Sequence, residues 1–143
     1  MISFVGMQTR SSGKIRGKQI AEYIGGNFFD VARLPINSLD KIVILIRNQN
    51  DELAKFLKSR GHIVGYDILD MPVGDLIFRN KQIDFKSYIN DSAFDFYISN
   101  NSYVSAELQK YTSSPVFIIP HHSVNFNSTR TCNGDKFSNI GYM

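Results

Sequence analysis

The chain predicts one α/β domain in three layers, a mostly parallel sheet of about six strands between helices. Three observations lead there. Short apolar runs alternate with amphipathic segments along most of the sequence. The clearest run, residues 41–46 (KIVILI), is continuously aliphatic, as a strand covered on both faces requires. A length of 143 residues fits a single core, and a compact chain of that size buries roughly 70% of the surface it exposes when unfolded.

The elements follow in order. Residues 2–7 read as the first strand and residues 8–12 as a polar loop. A helix is expected over residues 13–24, where Gly17, Ile20, Ala21 and Ile24 fall at i, i+3, i+4 and i+7 on one face. Gly17 on that stripe would let the helix lie close to the sheet, and Gly25 and Gly26 follow where a left-handed cap is needed. Residues 28–33 form a weaker strand and 35–40 a turn. After the strand at 41–46, Asn50 caps a helix over 51–60 that carries Leu53, Phe56 and Leu57 on one face and ends at Gly61. Residues 62–69 read as a strand, 81–90 as a helix with Phe85, Tyr88 and Ile89 on one side, and 94–99 as a strand. A helix over 102–111 places Val104, Leu108 and Tyr111 together, and a last buried strand, 116–119, stops at Pro120.

Composition narrows the functional classes. A formal charge of +3 favours anionic partners slightly but is too small to indicate nucleic-acid binding. The basic residues Arg10, Lys14, Arg16 and Lys18 gather around the first helix, where a solvated basic turn is the plainer reading. The single cysteine, Cys132, allows no internal disulfide, redox pair or zinc motif, which fits a reducing, cytoplasmic setting. The apolar start is too short for a signal peptide, and the aliphatic run at 42–46 is too short to span a bilayer, so no transmembrane segment is expected. The triplets at Asn100 and Asn127 that resemble glycosylation acceptors therefore carry little weight.

In a parallel sheet, ligands bind beyond the carboxyl ends of the strands, near the point where the strand order reverses. Polar residues cluster at those ends here: Arg10, Ser11, Gly13 and Lys14 after the first strand, Arg47 and Asn48 after the third, and Asp67 and Asp70 at the fourth. Asn100 and Asn101 follow the fifth and His121 and His122 the sixth. The first loop is neither a Walker A loop nor a dinucleotide fingerprint. Six residues separate Gly6 from Gly13, Ile15 follows Lys14, and GxGxxG spacing is absent. What remains is a helix start with basic and hydroxyl residues, suited to an anion or a hydroxyl-rich ligand. Adjacent histidines in extended chain point opposite ways and do not share a metal ion, so no metal or cofactor is expected. His121, Asp67 and Asp70 are the candidate proton acceptors. Each has a plainer structural reading, as a polar strand end or as a turn before Pro72.

Three stretches resemble the N-terminal domain of GT-B type glycosyltransferases, enzymes that pair two Rossmann-like domains across a cleft. They are FVGMQTRSSGKIRGKQIAEYI (residues 4–24), VFIIPHHSVNF (116–126) and NIGYM (139–143). The second departs from the family's pattern in a turn one residue longer, without its glycine, and with Asn125 where an aspartate is common.

The resemblance implies a transferase that moves a sugar from a nucleotide-sugar donor to an acceptor, with this half shaping the acceptor site. It implies a Rossmann-like acceptor-side domain over residues 1–126, a linker over 127–138, and the start of a donor-binding domain at 139–143. Carried over by position, the loop at residues 10–14 and the strand ends at Asp67, Asn100 and His121 would face the cleft; the expected substrate-binding positions are Arg10, Ser11, Gly13, Lys14, Asn100, Asn101 and His122. On that reading the chain alone transfers no sugar, binds nucleotides weakly, and self-associates through exposed apolar surface. The alternative, from another class, is a stand-alone Rossmann-like or flavodoxin-like binding domain with no chemistry of its own.

Overall fold

A computed structural model describes residues 1–69 and 84–120. Six strands, β1 (Ile2–Gly6), β2 (Asn27–Asp30), β3 (Ile42–Ile46), β4 (Ile63–Leu69), β5 (Phe96–Ser99) and β6 (Val116–Ile118), form one sheet in the order β2-β1-β3-β4-β5-β6. Every pair is parallel. This is a doubly wound, Rossmann-like α/β arrangement, and its order reverses between β1 and β3.

The alternation of side chains along the strands divides the core between two faces. Val43 and Leu45 point to one side with Val5, Val64, Tyr66, Ile68 and Tyr97. That side is covered by Ala54 and Leu57 of α2 (Asp51–Ser59) and by Val104 and Leu108 of α3 (Ser102–Gln109). Ile44 and Ile46 point to the other side with Phe4, Ile98 and Ala21, the last from α1 (Ile20–Ile24). Right-handed crossovers account for the split, because the chain winds one way from β1 to β2 and the other way from β3 onward.

The predicted caps are present. The Asn50 side chain accepts the Leu53 N–H at 3.0 Å, and Gly25 closes α1 in the left-handed region (φ 69°). The first helix differs in register from the expectation: Gly13–Gln19 is π-helical and only Ile20–Ile24 is α-helical. Gly17 does bring it close. A Cβ there would stand 2.5 Å from the Phe28 ring, so the ring occupies the space that a side chain would take.

Two expected elements are corrected. The strand expected over residues 28–33 stops at Asp30, because the Asp30 carboxylate accepts the Ala32 N–H at 2.8 Å and turns Val31–Arg33 into a 3-10 helix. Of the helix expected over residues 81–90, the described part holds one 3-10 turn, Phe85–Tyr88. Ile89 returns to extended backbone, and the Asn90 N–H is taken at 2.7 Å by the Tyr97 hydroxyl from the sheet. Phe85 and Tyr88 are nonetheless buried in the core, as their spacing suggested.

No helix among the described residues is long and apolar enough to cross a membrane. The strand expected to be buried at 116–119 is instead the edge strand β6, which has a neighbour on one side only and leaves Phe117, Ile118 and Ile119 exposed. The linker and second-domain assignments at 127–138 and 139–143 lie outside the described residues.

Candidate functional site

Because all six strands run the same way, the carboxyl ends of β1, β3, β4, β5 and β6 lie along one edge of the sheet. The segment after β1 is tied down by its backbone. The Arg10 N–H reaches the Met7 carbonyl and the Lys14 N–H the Arg10 carbonyl, each at 3.1 Å. Gly13 is buried against this loop, and a Cβ on it would lie 2.1 Å from the Met7 oxygen. Only glycine fits there. Arg10, Ser11 and Lys14 remain exposed above it.

Arg16 departs from the sequence reading. It is not part of a solvated basic turn: it is 1% exposed and points along the carboxyl edge of the sheet. Its Nε donates to Asp67 Oδ2 at 3.0 Å, and its Nη2 lies 2.9 Å from the same oxygen as an ion pair without hydrogen-bond alignment. Its Nη1 donates to the Ile119 carbonyl at 2.7 Å and the Pro120 carbonyl at 3.1 Å. One guanidinium thus joins the first helix, the end of β4 and the chain leaving β6. Planar geometry with donors on three nitrogens suits arginine to this role and excludes lysine from it.

The sequence carried a signal for this. The packed positions Gly17, Ile20 and Ala21 extend one turn backward to Gly13 and Arg16, so Arg16 belongs to the face that packs on the sheet, whereas Ile24, expected on the same stripe, is exposed. A buried arginine needs a carboxylate, and Asp67 ends an otherwise apolar strand.

Asp67 is 3% exposed, and both its oxygens are engaged, since Oδ1 accepts the Leu69 N–H at 3.1 Å. This fits it to hold Arg16 and to shape the turn, more than to exchange a proton with a ligand. The turn is strained. Leu69 (φ 58°) and Arg47 (φ 48°) both occupy the left-handed region, and the pairing of β4 with β5 shifts register between Asp67 and Leu69. The Arg47 N–H donates to the Asp67 carbonyl at 2.9 Å, so the ends of β3 and β4 are fixed to each other. A non-glycine residue held there costs on the order of 1–3 kcal/mol, and such positions concentrate at functional sites.

Asn101 has a structural task. Its Oδ1 accepts the Val104 N–H at 2.8 Å as the cap of α3, and its Nδ2 donates to Asn100 Oδ1 at 2.8 Å. The Asn101→Ala variant should lose about 1 kcal/mol of stability, the usual value of such a cap. Thermal denaturation checks it, and an unchanged midpoint would show the cap to be idle. His121, His122 and Asp70 lie outside the described residues.

No protein-family model, curated protein or solved structure matches the chain. The site must therefore be read from its own geometry. It offers an edge with a strained turn, a buried cation that fixes three segments, and exposed Arg10, Ser11, Lys14 and Arg47 around them. No group of three or more histidine, cysteine, aspartate or glutamate residues placed to hold a metal occurs among the described residues. The arrangement suits recognition by hydrogen bonds from a rigid frame.

Proposed function

We propose that this chain is the acceptor-side domain of a GT-B type glycosyltransferase, which moves a sugar from a nucleotide-sugar donor to an acceptor. The observation that carries the reading is the Arg16 contact. Two of the three stretches that resemble the family, residues 4–24 and 116–126, meet through the bonds from Arg16 to the carbonyls of Ile119 and Pro120. The parallel sheet supports the reading, because a ligand beyond its carboxyl edge would meet the ends of several strands together.

In this reading the frame binds and orients the acceptor, and donor recognition comes from a second domain. The segment between β1 and the first helix supports that division, since it lacks the glycine-rich spacing that cradles a diphosphate. The lone Cys132 is in keeping with work in a reducing, cytoplasmic compartment.

Titration calorimetry tests the division of labour. The chain is titrated with simple alkyl glycosides and, separately, with UDP-, GDP- and dTDP-sugars. Glycosides are expected to bind with Kd values in the millimolar range, about −4 kcal/mol, and nucleotide-sugars to give no tight isotherm. A one-site isotherm with a nucleotide-sugar in the low micromolar range or below would contradict the assignment.

A further inference from the structure

A groove of about 300 Å³ runs between the first helix and the edge strand β2. Ala21 and Phe28 supply its apolar lining, and Gln8, Lys18, Glu22 and Asp30 its polar lining. Its upper end is fixed by Asp30, whose Oδ2 accepts the Gln8 N–H at 3.0 Å while Oδ1 accepts the Ala32 N–H. These two backbone N–H groups, Ala32 foremost, hold the Asp30 carboxyl below its ordinary range, so it is an anion at neutral pH. Along the side of the groove, Lys18 Nζ and Glu22 Oε1 stand 3.9 Å apart on successive helical turns, both more than half exposed. That separation is long for a hydrogen bond, which leaves both groups able to turn toward a ligand.

The chemistry of the lining selects its ligand. Among the lining side chains one ammonium stands against two carboxylates, and with the Arg33 cation acting on Asp30 the charges balance, which favours a neutral ligand over phosphate. The volume sits at the small end for ligand sites, about 300 Å³, which suits one ring and not a nucleotide. The amide of Gln8 and the ammonium of Lys18 can donate, while the Glu22 and Asp30 carboxylates accept. Mixed donors and acceptors around an aromatic side chain match a ring with an apolar face and vicinal hydroxyls.

We propose that this groove is a binding subsite for one neutral, polyhydroxylated ring, a single sugar unit of the acceptor. The inference deepens the acceptor-side reading and rests on it. It adds that the acceptor extends from the carboxyl edge down the outer side of the first helix.

The test is an amide-resolved NMR titration of the full chain with methyl hexosides up to about 50 mM, a range that reaches millimolar Kd values. Inorganic phosphate serves as the contrasting probe. Saturable shifts at Gln8, Glu22, Phe28 and Asp30 with at least one glycoside, and none there with phosphate, are expected. The paired variant Lys18→Ala with Glu22→Gln alters only exposed side chains and should leave the fold intact. It should weaken glycoside binding about tenfold, the effect of losing a charge-assisted hydrogen bond.

Absence of saturable shifts in the groove, shifts there with phosphate, or undiminished affinity in the paired variant would overturn the proposal. The two readings fail separately. Glycoside shifts confined to Arg47 and Asn101 would reject the groove and leave the acceptor-side domain. Groove shifts accompanied by tight nucleotide-sugar binding would keep the groove and reject the division of labour between domains.

Discussion

Arg16→Met should lower the stability of the chain by about 3–5 kcal/mol, the usual result of removing one partner of a buried ion pair. The cost arises at Asp67, which at 3% exposure is left without the cation beside it. The carbonyls of Ile119 and Pro120 lose their donor in the same step. Denaturant unfolding should show a lower midpoint with little change in slope. A second variant separates charge burial from packing. When Asp67→Leu is added to Arg16→Met, no charge remains unpaired and much of the loss should return, since apolar replacements of buried pairs are often neutral or stabilising. Arg16→Lys keeps the charge but cannot reach three acceptors, so it should fall between wild type and Arg16→Met. A loss below about 0.5 kcal/mol for Arg16→Met, the range of ordinary surface changes, would show that the pair is not buried in solution.

Gly13→Ala is the second large effect. A Cβ at this position would stand 2.1 Å from the Met7 oxygen and 2.9 Å from the Met7 carbonyl carbon. Both are backbone atoms, so no rotamer change relieves the contact, and the loop after β1 must move away from the helix. Overpacking typically costs about 1–3 kcal/mol, and a backbone clash belongs at the upper end of that range. The same variant should weaken glycoside binding at the carboxyl edge, because Arg10 and Ser11 sit on the displaced loop. Differential scanning calorimetry and glycoside titration check the two halves. Unchanged stability and binding together would mean that the loop does not lie against Gly13.

How much of this was legible in the sequence depends on which forces act locally. The central strand was readable because β3 is aliphatic at every position, as a strand covered on both faces requires, and its neighbours were readable as short, largely apolar runs between amphipathic segments. The caps at Asn50, Gly25 and Gly61 were readable because capping depends on the residue at one position. The end of β2 was not. It depends on the Asp30 carboxylate folding back onto the Ala32 N–H, a choice that β propensity at Val31 conceals. The 3-10 turn at Phe85–Tyr88 was likewise hidden. Its i, i+3 spacing suits a helix, but after the Ile89 N–H closes the turn on the Lys86 carbonyl, the Asn90 N–H is taken by the Tyr97 hydroxyl from the sheet.

Arg16 and Asp67 show the same limit at the site. Both lie on periodic positions, yet they are 51 residues apart, and their partnership exists only once β4 lies beside β3 under the first helix. Residue type alone placed Arg16 with the solvated cations Arg10 and Lys14. Helical phase, which the basic-turn reading did not use, puts it on the packed face with Gly13 and Gly17. The glycines themselves spoke for close packing at Gly17, but the similar need at Gly13 arises from the Met7 carbonyl and could not be seen without the loop's path.

On the proposed function, the carboxyl edge of the sheet meets the ligand. Photo-crosslinking with a diazirine-bearing glycoside, followed by peptide mass spectrometry, tests it directly. Labels are expected on the segments that follow β1, β3 and β5, at residues 7–12, 47–50 and 100–101. Labels concentrated at the opposite edge, around Lys41, Gly61 and Ser114, would contradict it.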